Sequence, residues 1–165
     1  MFENIIKNVH NRHPLIHCIT NYVSINDCAN IVLACGGAPI MAEDINEVSQ
    51  ITSICQGLDI NIGMLNDNKL SSMLKAGATA NELGIPVILD PVGAGSSDYR
   101  IKAVQNLMSN VQFGVIRGNV SEIKAIAAKQ GIHNIAAGVY ETMQKNKSAM
   151  GVEAGIADKI TDDNI

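Results

Sequence analysis

The chain has 165 residues, of which 47% are hydrophobic and 17% charged, and its mean hydropathy is +0.14. This composition is too apolar for a disordered protein and allows one buried core, so we expect a single domain over residues 1–165. The net charge of −4, the scattered Lys and Arg residues and an aromatic content of 3% argue against nucleic acid as a partner.

No apolar run approaches the roughly 18 residues that a membrane-spanning helix needs, and the N-terminus lacks the pattern of a signal peptide. We therefore expect a cytoplasmic protein without a membrane partner. The four cysteines lie in apolar surroundings without a paired spacing, which favours reduced thiols over disulfides. They are Cys18, Cys28, Cys35 and Cys55.

Apolar segments alternate with segments of helical pattern along most of the chain. In chain order the pattern predicts strand 15–20, helix 26–35, strand 38–41, helix 47–56, strand 58–64, a helix from Asn66 or Asp67 to about Leu83, a strand ending at Asp90, helix 99–108, strand 113–116 and helix 120–129. Beyond Gly131 the pattern weakens. Residues 134–149 are compatible with a helix, whereas 151–165 have no clear apolar period.

This alternation of strands and helices predicts the fold class. Parallel strands joined by right-handed helical crossovers satisfy every one of these patterns. We therefore expect an α/β three-layer sandwich with a mainly parallel sheet. No internal repeat or low-complexity linker divides the sequence.

Ligands of open α/β sheets bind beyond the carboxyl ends of the strands, so polar residues directly after strands are candidates for a site. Asn21 follows the first strand, Met41 the second, and Arg117 the last. Asp90 ends the fourth strand and is followed by Pro91 and a glycine-rich turn. A carboxylate over such a turn suits a hydrated metal ion or a phosphate, but an aspartate before proline is also ordinary turn chemistry.

The segment that starts at Arg117 brings together a guanidinium group, a glycine and a helix N-terminus. These three features suit a phosphate. Glu122 lies in the first turn of that helix. It either faces a metal ion or acts as the glutamate of a capping box with Asn119, which lies three residues before it. No Walker loop and no dinucleotide-binding glycine pattern is present.

Three histidines near the first strand raise the alternative of a zinc site. His10, His13 and His17 have an irregular spacing that is interrupted by Pro14, so ordinary buried or solvent-facing histidines are favoured. Cys18 is a candidate nucleophile only if a partner activates it, and the sequence identifies none.

Four sequence blocks carry a resemblance to the hydroxyethylthiazole kinases of thiamine salvage, which are ribokinase-like proteins. The blocks begin at Pro14, Gly36, Leu89 and Ile116 and read PLIHCITNYV, GGAPIMA, LDPVGA and IRGNVSEI. They occur in the order and at the spacing of that family, from about residue 10 to residue 128.

The resemblance implies transfer of the ATP γ-phosphoryl group to the hydroxyl of 4-methyl-5-(2-hydroxyethyl)thiazole, with Mg²⁺ as cofactor. By motif position, Met41 and Asn21 would bind the thiazole alcohol, Arg117 with Asn119 would bind ATP phosphates, and Asp90 with Glu122 would hold Mg²⁺. The resemblance also implies a homotrimer.

The family's anion hole and the residue that activates the hydroxyl come from a C-terminal part that this sequence matches only weakly. The catalytic residue is therefore expected outside this chain. Two readings stay open: a fragment of a complete kinase, or a truncated, non-catalytic module for thiazole binding or assembly.

Overall fold

The computed structural model describes residues 2–129. The patterns noted over 134–149 and 151–165 lie outside the described residues, and the expectation of a single domain stays a prediction. By compactness the chain divides into Met1–Ile126 and Ala127–Ile165. Only the last turn of one helix, residues 127–129, is described in the second unit.

The described residues form six helices and five strands. In chain order they are α1 (Phe2–Arg12), β1 (Leu15–Ile19), α2 (Ile25–Ala34), β2 (Ala38–Ile40), α3 (Val48–Ser53), β3 (Gly57–Asn61), α4 (Asp67–Glu82), β4 (Val87–Asp90), α5 (Asp98–Asn110), β5 (Val115–Ile116) and α6 (Val120–Lys129). All ten elements predicted within this region are present, although the third strand ends at Asn61 and not at residue 64. No described helix has the length and apolar character needed to cross a membrane.

Helix α1 was not predicted, although the sequence contains a signal for it. Ile5, Ile6 and Val9 recur at the spacing of one helical face. The helix ends at Arg12, and His13 then adopts a positive φ of 44° before Pro14. The turn is closed by His13, whose Nδ1 lies 3.1 Å from the carbonyl oxygen of Gly36.

The five strands form one parallel sheet in the order β2-β1-β3-β4-β5. Right-handed crossovers place α2 on one face and α3, α4 and α5 on the other. The contacts agree, since α2 packs against β2 whereas α4 packs against α3, α5, β3 and β4. The predicted α/β class with a parallel sheet is confirmed, and the carboxyl ends of all five strands lie at one edge.

The core lies between the sheet and the helices α4 and α5. Alternate residues of the central strands point into it and are almost completely buried. They are Leu58 and Ile60 of β3 and Val87 and Leu89 of β4, which pack with Met73, Ala76, Val104 and Leu107 of the helices. Each such side chain contributes about 1.5–3 kcal/mol through its removal from water.

Gly77 allows α4 to approach the chain that follows α5. A Cβ atom on this buried glycine would lie 2.5 Å from Cγ2 of Val111. That distance is shorter than any normal contact between carbon atoms, so a side chain at this position requires the backbone or Val111 to move.

We expect Gly77→Ala to lower the free energy of unfolding by about 1–3 kcal/mol, even though alanine is the better helix former. Urea unfolding of the variant, of Val111→Ala and of the double variant measures the effect. The double variant should recover part of the loss, because the smaller residue at 111 makes room for the new methyl group. A stabilised Gly77→Ala variant would contradict the packing argument.

Candidate functional site

Asp90 is held at the carboxyl end of β4 by two hydrogen bonds to the same oxygen. Its Oδ2 accepts from Asn61 Nδ2 at 3.1 Å and from Arg117 Nη1 at 3.2 Å. Asn61 stands opposite Asp90 in the pairing of β3 with β4, and Arg117 directly follows β5. Asp90 Oδ1 takes part in neither bond, so among the described residues one oxygen of this partly buried carboxylate is left for a ligand.

Asn61 also connects Asp90 to the first strand. Its Oδ1 accepts from Asn21 Nδ2 at 3.2 Å and from the backbone N–H of Gly63 at 2.8 Å. Asn21, Asn61, Asp90 and Arg117 thus form a continuous line of side chains, here called the polar row, across the carboxyl ends of β1, β3, β4 and β5. A Cβ on Gly63 would lie 2.9 Å from both Asn21 and Asn61, so this position requires glycine.

The polar row crosses the point where the strand order reverses. The chain proceeds from β1 to β2 on one side and from β3 to β5 on the other. In open α/β sheets the crevice at such a reversal is the usual place for a ligand. Asn21 and Asn61 meet there.

Glu122 joins the segment after β5 to the turn after β4. Its Oε2 accepts from Asn119 N–H at 2.8 Å while its own N–H donates to Asn119 Oδ1 at 3.0 Å. This reciprocal pair is the capping box that the sequence offered as one alternative. In addition, Glu122 Oε1 accepts from Gly93 N–H at 3.0 Å. The capping role is confirmed, and a role in metal binding stays a prediction.

The electrostatics of this edge favour a cation. Burial raises the pKa of Asp90, Arg117 partly opposes that rise, and Glu122 adds to it. Burial, with a smaller contribution from the charge of Asp90, raises the pKa of Asp59 to about 6. The Asp59 and Glu122 carboxyl groups therefore both interact with Asp90, and a bound cation would relieve this repulsion.

These residues fit a hydrated magnesium ion better than a dehydrated metal centre. The part of the chain that the structure describes contains no group of three or more His, Cys, Asp or Glu residues able to hold a metal. Mg²⁺ usually keeps several waters and binds through one or two carboxylates together with substrate phosphates. Asp90 Oδ1, with Glu122 acting through water, would supply that donor set.

Within the described residues, His10, His13 and His17 do not form a metal site. His17 is fully buried, with Nε2 2.7 Å from the carbonyl oxygen of Ala42 and Nδ1 2.9 Å from Thr52 Oγ1. Burial lowers the pKa of His17, so its imidazole is neutral near pH 7 and helps to hold the segment after β2. His13 bonds to the backbone of Gly36.

The cysteines are free thiols, and Cys18 does not have the properties of a nucleophile. Burial, with help from the nearby Asp59 carboxylate, raises the pKa of Cys18 to about 12. Its thiolate is therefore scarcely populated at neutral pH, and the residue serves as part of the interior.

Met41 and Asn21 follow neighbouring strands, but the structure does not place both in the polar row. Met41 is half-buried directly after β2, the strand at the sheet edge. Asn21 is tied into its loop, since its Oδ1 accepts from the N–H of Ser24 at 3.0 Å and from Ser24 Oγ at 3.1 Å. A shared role of the two residues in substrate binding stays a prediction.

Lys69 is a buried residue that the sequence analysis did not identify. Its Nζ donates to the carbonyl oxygen of Thr20 at 2.6 Å and to Glu43 Oε2 at 2.8 Å, and it lies 4.5 Å from the centre of the Tyr22 ring. A cation in the first turn of a helix is disfavoured by about 0.3–1 kcal/mol, so tertiary contacts decide its place. Lys69 ties the loop after β1 to the segment after β2.

A cavity of about 580 Å³ lies beside this lysine, not at the polar row. Its wall includes Glu43, Asp44, Asn66 and Lys69. Because Lys69 Nζ already has two oxygen partners, the cavity offers no unsatisfied buried charge to a ligand.

Asn61 was also missed, because the sequence reading extended the third strand to residue 64. The strand ends at Asn61. The pair Asn61 and Gly63, a short amide and a glycine two residues later, was the signal for the end of the strand and the turn that follows it.

Comparisons with known proteins identify the family of this chain. The model of the family described as "HK: Hydroxyethylthiazole kinase family" matches residues 6–161. The chain belongs to the hydroxyethylthiazole kinase family. The resemblance drawn from the four sequence blocks is thereby confirmed.

Individual members of the hydroxyethylthiazole kinase family are similar over most of the chain. The hydroxyethylthiazole kinase of Clostridium acetobutylicum is 53% identical over 165 residues, which cover 100% of this chain and 55% of that protein. The hydroxyethylthiazole kinase of Methanobrevibacter smithii is 44% identical over 161 residues, 98% of this chain and 53% of that protein.

A solved structure of a hydroxyethylthiazole kinase protein from Pyrococcus horikoshii shares the fold. The TM-score is 0.76 at 39% sequence identity, and the match covers 81% of this chain and 52% of that chain. This agreement supports the ribokinase-like α/β fold that the resemblance implied. The chain spans about half the length of the family members that it matches.

The raised pKa of Asp59 predicts a pH-dependent stability. Because folding favours its protonated form, this group stabilises the fold below its ordinary pKa of 3.8, and that stabilisation is lost as the pH rises through about 6. Asp59→Asn should therefore raise the free energy of unfolding by about 1–3 kcal/mol near pH 7.5 and by less near pH 5.

Urea unfolding at the two pH values, in buffer without divalent metal, measures this difference. Asp98→Asn is the control, since Asp98 is an exposed aspartate in the first turn of α5. A gain for Asp59→Asn that is equal at both pH values would show that desolvation of the carboxylate is not its source.

Proposed function

We propose that the protein acts in the phosphorylation of 4-methyl-5-(2-hydroxyethyl)thiazole by ATP with Mg²⁺, as a hydroxyethylthiazole kinase. The observation that supports this most directly is the contact of Asp90 with Asn61 and Arg117 at the carboxyl edge of the sheet. Phosphoryl transfer requires mainly alignment and charge stabilisation, which a metal-binding carboxylate and a cationic fork provide.

In this proposal Asp90 and Glu122 hold the metal ion, Asp90 directly or through water. Both oxygens of Glu122 already accept backbone N–H groups, so it acts through water. When bound, Mg²⁺ neutralises charge on the β- and γ-phosphates. It also compensates the buried Asp90 carboxylate, whose pKa burial raises.

Arg117 binds the phosphates in the same proposal. Its side chain is 78% exposed, and its ion pair with Asp90 is a long one at 3.2 Å. Exposed pairs of this kind contribute only about 0–1 kcal/mol, so the guanidinium can turn to a phosphate at low cost once a metal ion compensates Asp90. Asn119 serves chiefly as the cap of α6, since its N–H and Oδ1 are both in the capping box, and only its Nδ2 remains for a phosphate.

The thiazole alcohol is assigned to the loops after β1 and β2, where Asn21 and Met41 lie. We place the residue that activates the hydroxyl outside the described residues, and its identity stays unknown. A homotrimer in the cytoplasm, as in the resemblance, is part of the same proposal.

A second candidate function is a non-catalytic module that binds the thiazole or takes part in assembly. It requires only the loops after β1 and β2, where Asn21 and Met41 lie, and these loops are within the described residues. Coupled ADP release with hydroxyethylthiazole, ATP and Mg²⁺ separates the two. Turnover that disappears in Asp90→Ala supports the kinase, whereas binding of the thiazole without ADP release and without binding of ATP and Mg²⁺ supports the module.

We expect Arg117→Ala to weaken ATP binding about tenfold or more and to change thiazole binding by less than about twofold, since its charge faces phosphate. Isothermal titration with each ligand in the presence of Mg²⁺ measures both affinities. Lys124→Ala, the loss of an exposed cation on α6, is the matched control. Equal losses for the two ligands would contradict the assigned role of Arg117.

A further inference from the structure

Arg100 is a half-buried cation that binds only backbone oxygens. It lies in the first turn of α5, and its Nη1 donates to the carbonyl oxygens of Ile62 at 2.6 Å and Val92 at 2.9 Å. Its Nη2 donates to the carbonyl oxygen of Gly63 at 2.8 Å. Within the region that the structure describes, no carboxylate pairs with Arg100.

Arg100 Nη1 contacts the carbonyl oxygens of two peptide groups. The N–H groups of the same two peptide groups donate to side chains of the site. The carbonyl of Ile62 and the N–H of Gly63 belong to one planar peptide group, and that N–H donates to Asn61 Oδ1 at 2.8 Å. The carbonyl of Val92 and the N–H of Gly93 belong to another, and that N–H donates to Glu122 Oε1 at 3.0 Å.

Because a peptide group is rigid, fixing the direction of its carbonyl also fixes the direction of its N–H. A guanidinium on the oxygen further polarises the peptide group, which strengthens the hydrogen bond that its N–H donates. Arg100 therefore acts on Asn61 and Glu122 at the same time, although its hydrogen bonds within the described region go to neither side chain.

We propose that Arg100 is a positioning residue of the metal and nucleotide site, acting through the peptide groups 62–63 and 92–93 on Asn61 and Glu122. Asn61 in turn donates to Asp90 Oδ2, so the direction of the available Asp90 oxygen depends on Arg100. The consequence for nucleotide binding rests on the proposed function, whereas the positioning itself does not.

The first experiment tests the positioning without any ligand. Proton–nitrogen NMR spectra are recorded for the wild type, Arg100→Met, Arg100→Lys and the exposed control Lys102→Met. We expect the amide protons of Gly63 and Gly93 to move to lower frequency in Arg100→Met, because the guanidinium no longer polarises their peptide groups and the hydrogen bonds that they donate weaken. The amides of Gly57 and Gly77, which lie away from Arg100, report whether the fold is intact.

The second experiment measures affinity for ADP with Mn²⁺, which substitutes for Mg²⁺, and for hydroxyethylthiazole. Arg100→Met should bind the metal–nucleotide complex about tenfold more weakly and the thiazole alcohol within about twofold of the wild type. Arg100→Lys should recover part of the loss, since one ammonium group can reach some of the same oxygens. Lys102→Met should bind both ligands as the wild type does.

A double-mutant cycle with Glu122→Gln distinguishes positioning from a general loss of structure. If Arg100 acts through Glu122, the effects of Arg100→Met and Glu122→Gln on nucleotide affinity are not additive. Additive effects, or unmoved amides of Gly63 and Gly93 in an otherwise folded Arg100→Met variant, would overturn the proposal.

A wild-type chain that binds no metal–nucleotide complex would count against the proposed function. In that case the amides of Gly63 and Gly93 still decide whether Arg100 positions the two peptide groups, because that measurement needs no ligand.

Discussion

The Asp90 carboxylate stands at the end of a buried strand, where losing water is costly unless hydrogen bonds or opposite charge replace it. The protein provides both, through Asn61 on the neighbouring strand and Arg117 after the next one. Only one carboxylate oxygen is used in this way. The result is a partly compensated charge that still attracts a cation, which is the condition that a magnesium–nucleotide site requires.

Several other features of the structure exist because of this arrangement. Gly63 has no room for a side chain, since Asn21 and Asn61 must meet beside it. Glu122 caps its own helix and also reaches the turn after β4, so the last helix and the glycine-rich turn are held together. Arg100 donates hydrogen bonds to carbonyl oxygens in the loops after β3 and β4. Many of the hydrogen bonds that hold the site together thus involve backbone groups.

The two sides of the sheet edge are held by different means. On the β4 and β5 side, side chains meet across neighbouring strands in the polar row. On the β1 and β2 side, the buried Lys69 joins Thr20 to Glu43, and His17 holds the carbonyl of Ala42. In the proposed function, the first side binds phosphate and metal. The second side binds the uncharged substrate, which fits its paired buried charge and its neutral imidazole.

The sequence alone determined the order of strands and helices, the parallel sheet and the residues at the strand ends. It did so because apolar periodicity and capping residues are local signals, and because the carboxyl ends of parallel strands must share one edge. Asp90, Arg117 and Asn21 were found in this way. Only the tertiary structure decided that Asn61 joins them, that Glu122 also accepts from the N–H of Gly93, and that Lys69 and Arg100 donate to backbone oxygens. These contacts join residues far apart in the chain, and no local pattern specifies which donor meets which acceptor.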